Sequence, residues 1–174
     1  MKPSLFFGAC ALAFLGGLVT GKSAFAENYQ AEEVKCLADN IYWEARNQTV
    51  KGMFAVGHVT INRVKDSRFP NTVCEVVYQG PTRPSWKDKT KYYPVKNRCQ
   101  FSWYCDGKAD VILKQDEALY DLILMMSFKI YSGKLKDLTD GATHYHADYV
   151  RPEWASSKTK TMKIGQHIFY RWEK

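Results

Sequence analysis

Four cysteines, Cys36, Cys74, Cys99 and Cys105, follow a leader of the exported type, and no other feature constrains the fold as much. Lys2 gives the leader a positive start, residues 5–19 carry no charge, and Ala24-Phe25-Ala26 puts small residues where a signal peptidase reads them. Cleavage is expected before Glu27, with 1–26 as signal peptide and 27–174 as one domain. The apolar run is shorter than the roughly 20 residues that span a bilayer. Too little apolar sequence precedes Cys10 for a lipoprotein cysteine, so no stable membrane span is expected after processing. The expected location is periplasmic or secreted. In an oxidising compartment an even cysteine count reads as disulfides, with three connectivities open to four cysteines. The favoured pairs are Cys99 with Cys105, closing the short loop QFSWY, and Cys36 with Cys74, stapling two early helices. Zinc is the competing use, and the lack of a paired C-x-x-C weighs against it.

Two of the 25 basic residues, Lys2 and Lys22, belong to the leader, so 23 face 18 acidic ones, a net of +5 with histidine neutral. A basic exported chain suits an anionic envelope polymer, peptidoglycan included, because long-range attraction raises encounter rates. Plain solubility explains the same number. Export disfavours nucleic acid as a partner, and the sequence is silent on oligomeric state.

Val34, Leu37, Ala38, Ile41 and Ala45 form a single helical stripe, which predicts a helix over 30–47. At about 100° per residue, Glu44 falls roughly 20° from Leu37, on the shoulder of that stripe. A second helix is expected from Thr49 or Val50 to Val64, with Thr49 as N-cap and Asn62-Arg63 closing it. Its apolar residues lie on several faces, which marks a buried helix, and Gly57 would let a neighbouring backbone approach. Asn71 is expected to cap a third helix over 72–79. Residues 80–98, rich in proline, lysine and aromatics, read as a long surface loop. A fourth helix over 115–131 would use Ala118, Leu119, Leu122, Ile123, Met126 and Ile130 as core, with Met125 beside Met126 as filler, and stop at Gly133. Residues 142–147 and 164–172 alternate and read as antiparallel strands. The sum is a mostly helical α+β single domain with a small C-terminal antiparallel sheet.

Four segments carry chemistry-bearing residues. Glu44, beside Tyr42 and Trp43, would lose hydration when ionised, which raises its pKa and suits a general acid. A surface Glu paired with Lys51 or Arg46 is the plain alternative. In CQFSWYC, a disulfide would hold Gln100, Ser102, Trp103 and Tyr104 on a rigid loop, offering amide, hydroxyl and ring faces to a sugar; a purely structural staple is the alternative. In THYHAD, His144 and His146 share one strand face and Tyr145 takes the other. That pair could ligate zinc with Asp148 or His167, orient a substrate, or fill space. In TRPSWKDKTKYYP, Trp86, Tyr92 and Tyr93 could line a groove or sit on a solvated loop. No G-x-S-x-G element is present, and the cysteines read as oxidised, so Ser or Cys nucleophiles find no support.

NIYWEAR, KGMFAVGHVTINRV, FPNTVCEVVYQ, CQFSWYCDGK, GATHYHADYVRPEWA and KIGQHIFYRW, in that order, resemble the SleB-type cell-wall hydrolases over about residues 34–172. The resemblance implies a lysozyme-related, lytic-transglycosylase-like helical core. It also implies cleavage of peptidoglycan between N-acetylmuramic acid and N-acetylglucosamine. It maps the catalytic acid to Glu44 and places Gln100, Phe101, Ser102 and Thr143, His144, Tyr145 along the glycan groove. No cofactor or metal is implied. Where the family usually continues with Gly-Glu this chain has Asn47-Gln48, so a second helical carboxylate is missing. One carboxylate suffices for a lytic transglycosylase, whereas ordinary glycoside hydrolysis takes two. Asp106, Asp140, Asp148 and Glu153 are the acids that folding could bring near. Two other readings stay open: a zinc amidase or endopeptidase built on His144 and His146, and a non-catalytic wall-binding module.

Overall fold

A computed structural model describes residues 22–173, so the expected leader lies almost wholly outside the described residues. Helix α1 (Lys22–Ala45) begins ahead of the expected cleavage point and ends before 47, because the chain must turn for the next cap. Thr49 is that cap: its hydroxyl accepts from the Gly52 N–H at 3.3 Å and opens α2 (Val50–Val64). Helix α3 (Val73–Val77) is shorter than expected and is capped by Thr72, which accepts from Glu75 N–H at 3.2 Å, rather than by Asn71. A second cap comes from α1. Glu33, 4% exposed, accepts from Val73 N–H at 2.6 Å and Cys74 N–H at 3.4 Å, placing a carboxylate at the positive end of α3. One turn along α1, Cys36 is disulfide-bonded to Cys74, and Cys99 pairs with Cys105.

The expected surface loop holds a two-stranded ribbon, β1 (Thr82–Pro84) against β2 (Tyr92–Pro94). Prolines are tolerated there because both strands are edges. Helix α4 (Glu117–Tyr131) follows a short 3-10 turn, Lys114–Asp116, and starts later than expected. Its buried face is Ile123, Met126, Ser127 and Ile130; Ala118 and Leu122 are exposed, and so is Met125, so these three are not core. Gly133, at φ +69°, ends the helical run.

Strands β3 (His144–Ala147), β4 (Thr159–Ile164) and β5 (His167–Arg171) form an antiparallel sheet in the order β3-β5-β4. The single strand expected over 164–172 is thus a hairpin end, turning at Gly165 (φ +56°) and Gln166. Strand β4, TKTMKI, gives little period-2 signal because only Ile164 is fully buried.

Helix α2 lies between two cores, which explains its apolar residues on several faces. Met53, Val56 and Ile61 pack with Leu37, Ile41, Val76, Ile123 and Ile130 of the other helices. Ala55 and Val59 pack with Ala142, Ile164 and Phe169 of the sheet side. A Cβ on Gly57 would lie 2.8 Å from both Ile41 Cδ1 and Ile130 Cδ1, so its absence admits side chains, not a backbone. Asn40 and Thr60 bond at 3.1 Å across α1 and α2, and Trp103 Nε1 donates to Asn40 at 3.0 Å. That buried chain ties the cystine loop to the helix pair.

Candidate active site

Glu44 stands in the last turn of α1 and Arg63 in the last turn of α2, and β3 crosses beside both. The Tyr145 hydroxyl of β3 donates to Glu44 Oε2 at 2.9 Å. Its ring is fixed from behind by His167 and Phe169, at centroid distances of 5.0 and 5.7 Å. Arg63 is 3% exposed and held on several sides. Its Nε donates to the Thr143 carbonyl at 2.7 Å, and its guanidinium lies 5.4 Å from the Phe69 ring centroid and 5.0 Å from that of Phe101. With the Gln100 amide turned oxygen-inward, that oxygen accepts from both terminal guanidinium nitrogens at 3.3 and 3.2 Å. Glu44, Arg63, Gln100, Phe101 and Tyr145 bound a cavity of about 240 Å³, completed by Cys99, Ser102, His144 and Trp154.

Burial raises the Glu44 pKa; the Tyr145 hydrogen bond and the Arg63 charge oppose it, and burial prevails. Burial brings Arg63 down to about 10, against the opposing influence of Tyr145 and Glu44, so it is a fixed cation at neutral pH. Burial, then Arg63, Lys158 and Arg68, bring His144 down to about 4, so its imidazole is neutral there. Burial and Glu44 push the Tyr145 phenol well up, so it stays a donor. The cavity therefore holds one carboxyl biased toward its protonated form, a buried positive charge and a neutral imidazole. Among the described residues no hydrogen bond reaches Glu44 Oε1, which leaves that oxygen free for a proton transfer.

A second cavity, of about 400 Å³, shares Glu44 and Ser102 with the first and continues past Trp43, Trp103, Asp106 and Asp110. Glu44 thus lies between two adjoining cavities of one groove. Among the described residues no other carboxylate lines the first. Asp140 is engaged by Arg171 and Asp148 by Lys163, each at 2.7 Å, while Asp106 lines only the second and pairs with Lys108 at 3.5 Å. Glu153 also lies outside both linings.

Gln100, Phe101, Ser102, His144 and Tyr145 are brought together beside Glu44. Trp103 and Thr143 stand outside that lining. Trp103 is 8% exposed, bonded to Asn40, and lines only the second cavity and the one beyond. Thr143 is 4% exposed and does not line the Glu44 cavity: its carbonyl holds Arg63 and its hydroxyl lies 3.0 Å from His144 Nδ1. His144 and His146 do share a face, both against Trp154. Yet His146 is committed to the Ala147 carbonyl and the Tyr170 hydroxyl, at 2.8 and 3.0 Å, and does not line the cavity. Among the described residues no three His, Cys, Asp or Glu side chains are grouped to hold a metal, so the zinc reading lacks a ligand set. Tyr145, on the opposite face, still reaches the groove because β3 is an edge strand. Sequence reasoning missed Arg63 and Trp154. The available signal is an arginine inside an otherwise apolar buried helix.

Residues 47–170 match the family model described as cell wall hydrolase; the match begins after Glu44. The spore cortex-lytic enzyme of Bacillus cereus is 26% identical over 142 residues, covering 81% of this chain and 45% of that protein. The enzyme of the same name from Halalkalibacterium halodurans is 26% identical over 142 residues, covering 81% and 35%. The chain therefore spans less than half the length of these curated relatives. The catalytic domain of the Bacillus cereus SleB protein superposes with a TM-score of 0.56 at 23% identity, over 80% of this chain and 89% of that one. The catalytic domain of the germination-specific lytic transglycosylase SleB from Bacillus anthracis gives 0.56 at 25%, over 80% and 93%. The α+β fold is shared with those domains, the family match runs from ahead of α2 into β5, and the chain belongs to the cell wall hydrolase family.

Proposed function

We propose that this protein cleaves the glycan strand of peptidoglycan between N-acetylmuramic acid and N-acetylglucosamine, as a lytic transglycosylase with Glu44 as its single acid and base. The strand lies along the groove, and protonated Glu44 gives its proton to the bridging oxygen as the bond to muramic C1 breaks. The resulting carboxylate takes the proton of the muramic C6 hydroxyl. That oxygen closes on C1, and a 1,6-anhydro ring forms with no water consumed. Arg63 and the Tyr145 hydroxyl stabilise the carboxylate between the two transfers, and Gln100, Ser102 and neutral His144 offer hydrogen bonds to sugar groups. The observation that carries this reading is one carboxyl, raised in pKa by burial, the one carboxylate of its cavity among the described residues, at the junction of two adjoining cavities. Family membership and the names of the relatives support the substrate class. An exported protein, with residues 1–26 removed and the domain acting outside the cytoplasm, fits both the disulfides and the substrate.

Digestion of purified sacculi followed by mass spectrometry tests the proposal. Anhydro-muropeptides are expected from wild type and none from Glu44→Gln, with thermal stability near wild type. Reducing muropeptides in their place would replace the anhydro mechanism by hydrolysis. Released stems, or an active Gln variant, would remove the assignment of Glu44.

A further inference from the structure

Beyond the second cavity lies a third, of about 370 Å³, with Trp43, Trp103 and Asp110 common to both. Lys35, Asp39 and Trp43 recur every four residues, so one face of α1 forms a wall. Tyr78, Tyr104 and Tyr120 supply much of the rest. Tyr78 lies 4.5 Å from Tyr104 and 6.3 Å from Trp103 between ring centroids, a clustered aromatic surface.

Two carboxylates enter this aromatic chamber. Asp39 is saturated: the Tyr120 hydroxyl donates to Oδ1, and the Lys35 ammonium donates to Oδ2 at 2.7 Å. Asp110 is exposed, and among the described residues nothing donates to it. Its pKa is raised, by burial first and then by Asp106 and Asp39; Tyr78 is raised by burial, Asp39, Tyr104 and Asp110. A basic chain thus keeps a locally negative pocket with aromatic walls. The protein's own Lys35 already shows which group suits it, since one ammonium sits on one of the two carboxylates. The second carboxylate has none.

We propose that this chamber takes the free primary ammonium of the diamino acid in a peptidoglycan stem, with Asp110 as counter-ion and the Tyr78, Tyr104 and Trp103 rings as walls. The inference rests on the glycan-cleaving reading, because the strand in the groove carries the stem. A neutral sugar would use the ring faces but gains little from a spare carboxylate beside Asp39.

The test is calorimetric titration of wild-type protein with the stem tripeptide alanyl-γ-glutamyl-diaminopimelate, acetylated on its alanyl N-terminus as the glycan link would block it, with the distal amine free or also acetylated. The free form is expected to bind about tenfold more tightly, the worth of one charge-assisted hydrogen bond in a part-solvated site, and its advantage should shrink with salt. Asp110→Asn should erase the difference and Asp110→Glu restore part of it, with melting curves confirming that both fold. Equal affinity for the two peptides, or no binding of either by wild type, overturns the proposal. Sacculi acetylated on their stem amines separate this from the Glu44 reading: wild type should still release glycan products from them, more slowly. Loss of glycan products from both substrates would sink the Glu44 reading, while the peptide titration judges the chamber by itself.

Discussion

Replacing Tyr145 by phenylalanine removes one oxygen and leaves the ring packed on His167 and Phe169. What is lost is the donor to Glu44 Oε2, which lowers the Glu44 pKa against the upward push of burial. A hydrogen bond to an ionised acceptor is worth about 1.5–3 kcal/mol and one to a neutral acceptor about 1. The ionised form therefore loses about 1–2 kcal/mol more than the neutral form, and at 1.36 kcal/mol per unit Glu44 rises by about one pKa unit. If protonated Glu44 starts the reaction, the alkaline limb of kcat/KM against pH moves up by that amount. Stability carries its own sign. Because the folded pKa of Glu44 lies above its unfolded value, its contribution is complete below the unfolded value and is lost as pH rises through the folded one. The variant should thus cost about 1 kcal/mol in acid and about 1.5–3 above the shifted pKa. Turnover profiles on sacculi and urea melts at several pH values read both effects. An alkaline limb that stays in place or moves down refutes the coupling of Tyr145 to a proton-donating Glu44.

Arg63→Met should raise the Glu44 pKa as well. It should also cost about 2–4 kcal/mol by leaving the Thr143 carbonyl and the Gln100 amide unpaired, which denaturant melts at acid and neutral pH would measure. Glu33→Gln should cost about 1 kcal/mol by weakening the carboxylate cap on α3, with activity per folded molecule unchanged. Breaking the Cys36–Cys74 link, whose partners are 38 residues apart, should cost about 4 kcal/mol on chain-entropy grounds, read as a lowered urea midpoint of a Cys36→Ala/Cys74→Ala variant. His144, lowered from 6.5 to about 4, contributes stability that is full above the unfolded value and lost as pH falls through the folded one. His144→Gln should therefore lose less stability than wild type between pH 6 and pH 4, in melts taken across that range.

The helices were legible because burial there follows a period that a stripe such as Leu37, Ala38, Ile41 and Ala45 displays directly. The disulfide pairs were legible from the short QFSWY loop and the early helices. Strand β4 was not, since five of its six residues keep solvent contact and alternate little. Nor was the split at Gly165, where one turn interrupts a run that alternates on both sides. At the site, Glu44 stood out as a carboxylate on an apolar shoulder, but its partners come from 63, 100 and 145, positions that only the packing of α2 and β3 beside α1 brings together. Arg63 was hidden for the same reason: its compensation is a carbonyl 80 residues away. The bond from the Trp103 indole to buried Asn40 was likewise hidden, because the two residues are 63 positions apart.

Glu44 precedes the final residue of α1, so it sits at the negative end of that helix's dipole, where Arg46 N–H and Gln48 N–H engage the Tyr42 and Ala45 carbonyls at 3.1 and 2.9 Å. A carboxylate in that position is repelled by the backbone of its own helix, and the repulsion vanishes when it accepts a proton. The same 24-residue helix that organises the interior thereby acts as an electrostatic lever on its terminal acid. Unwinding the last turn of α1 would slacken that lever even with the walls from α2, the cystine loop and β3 left in place.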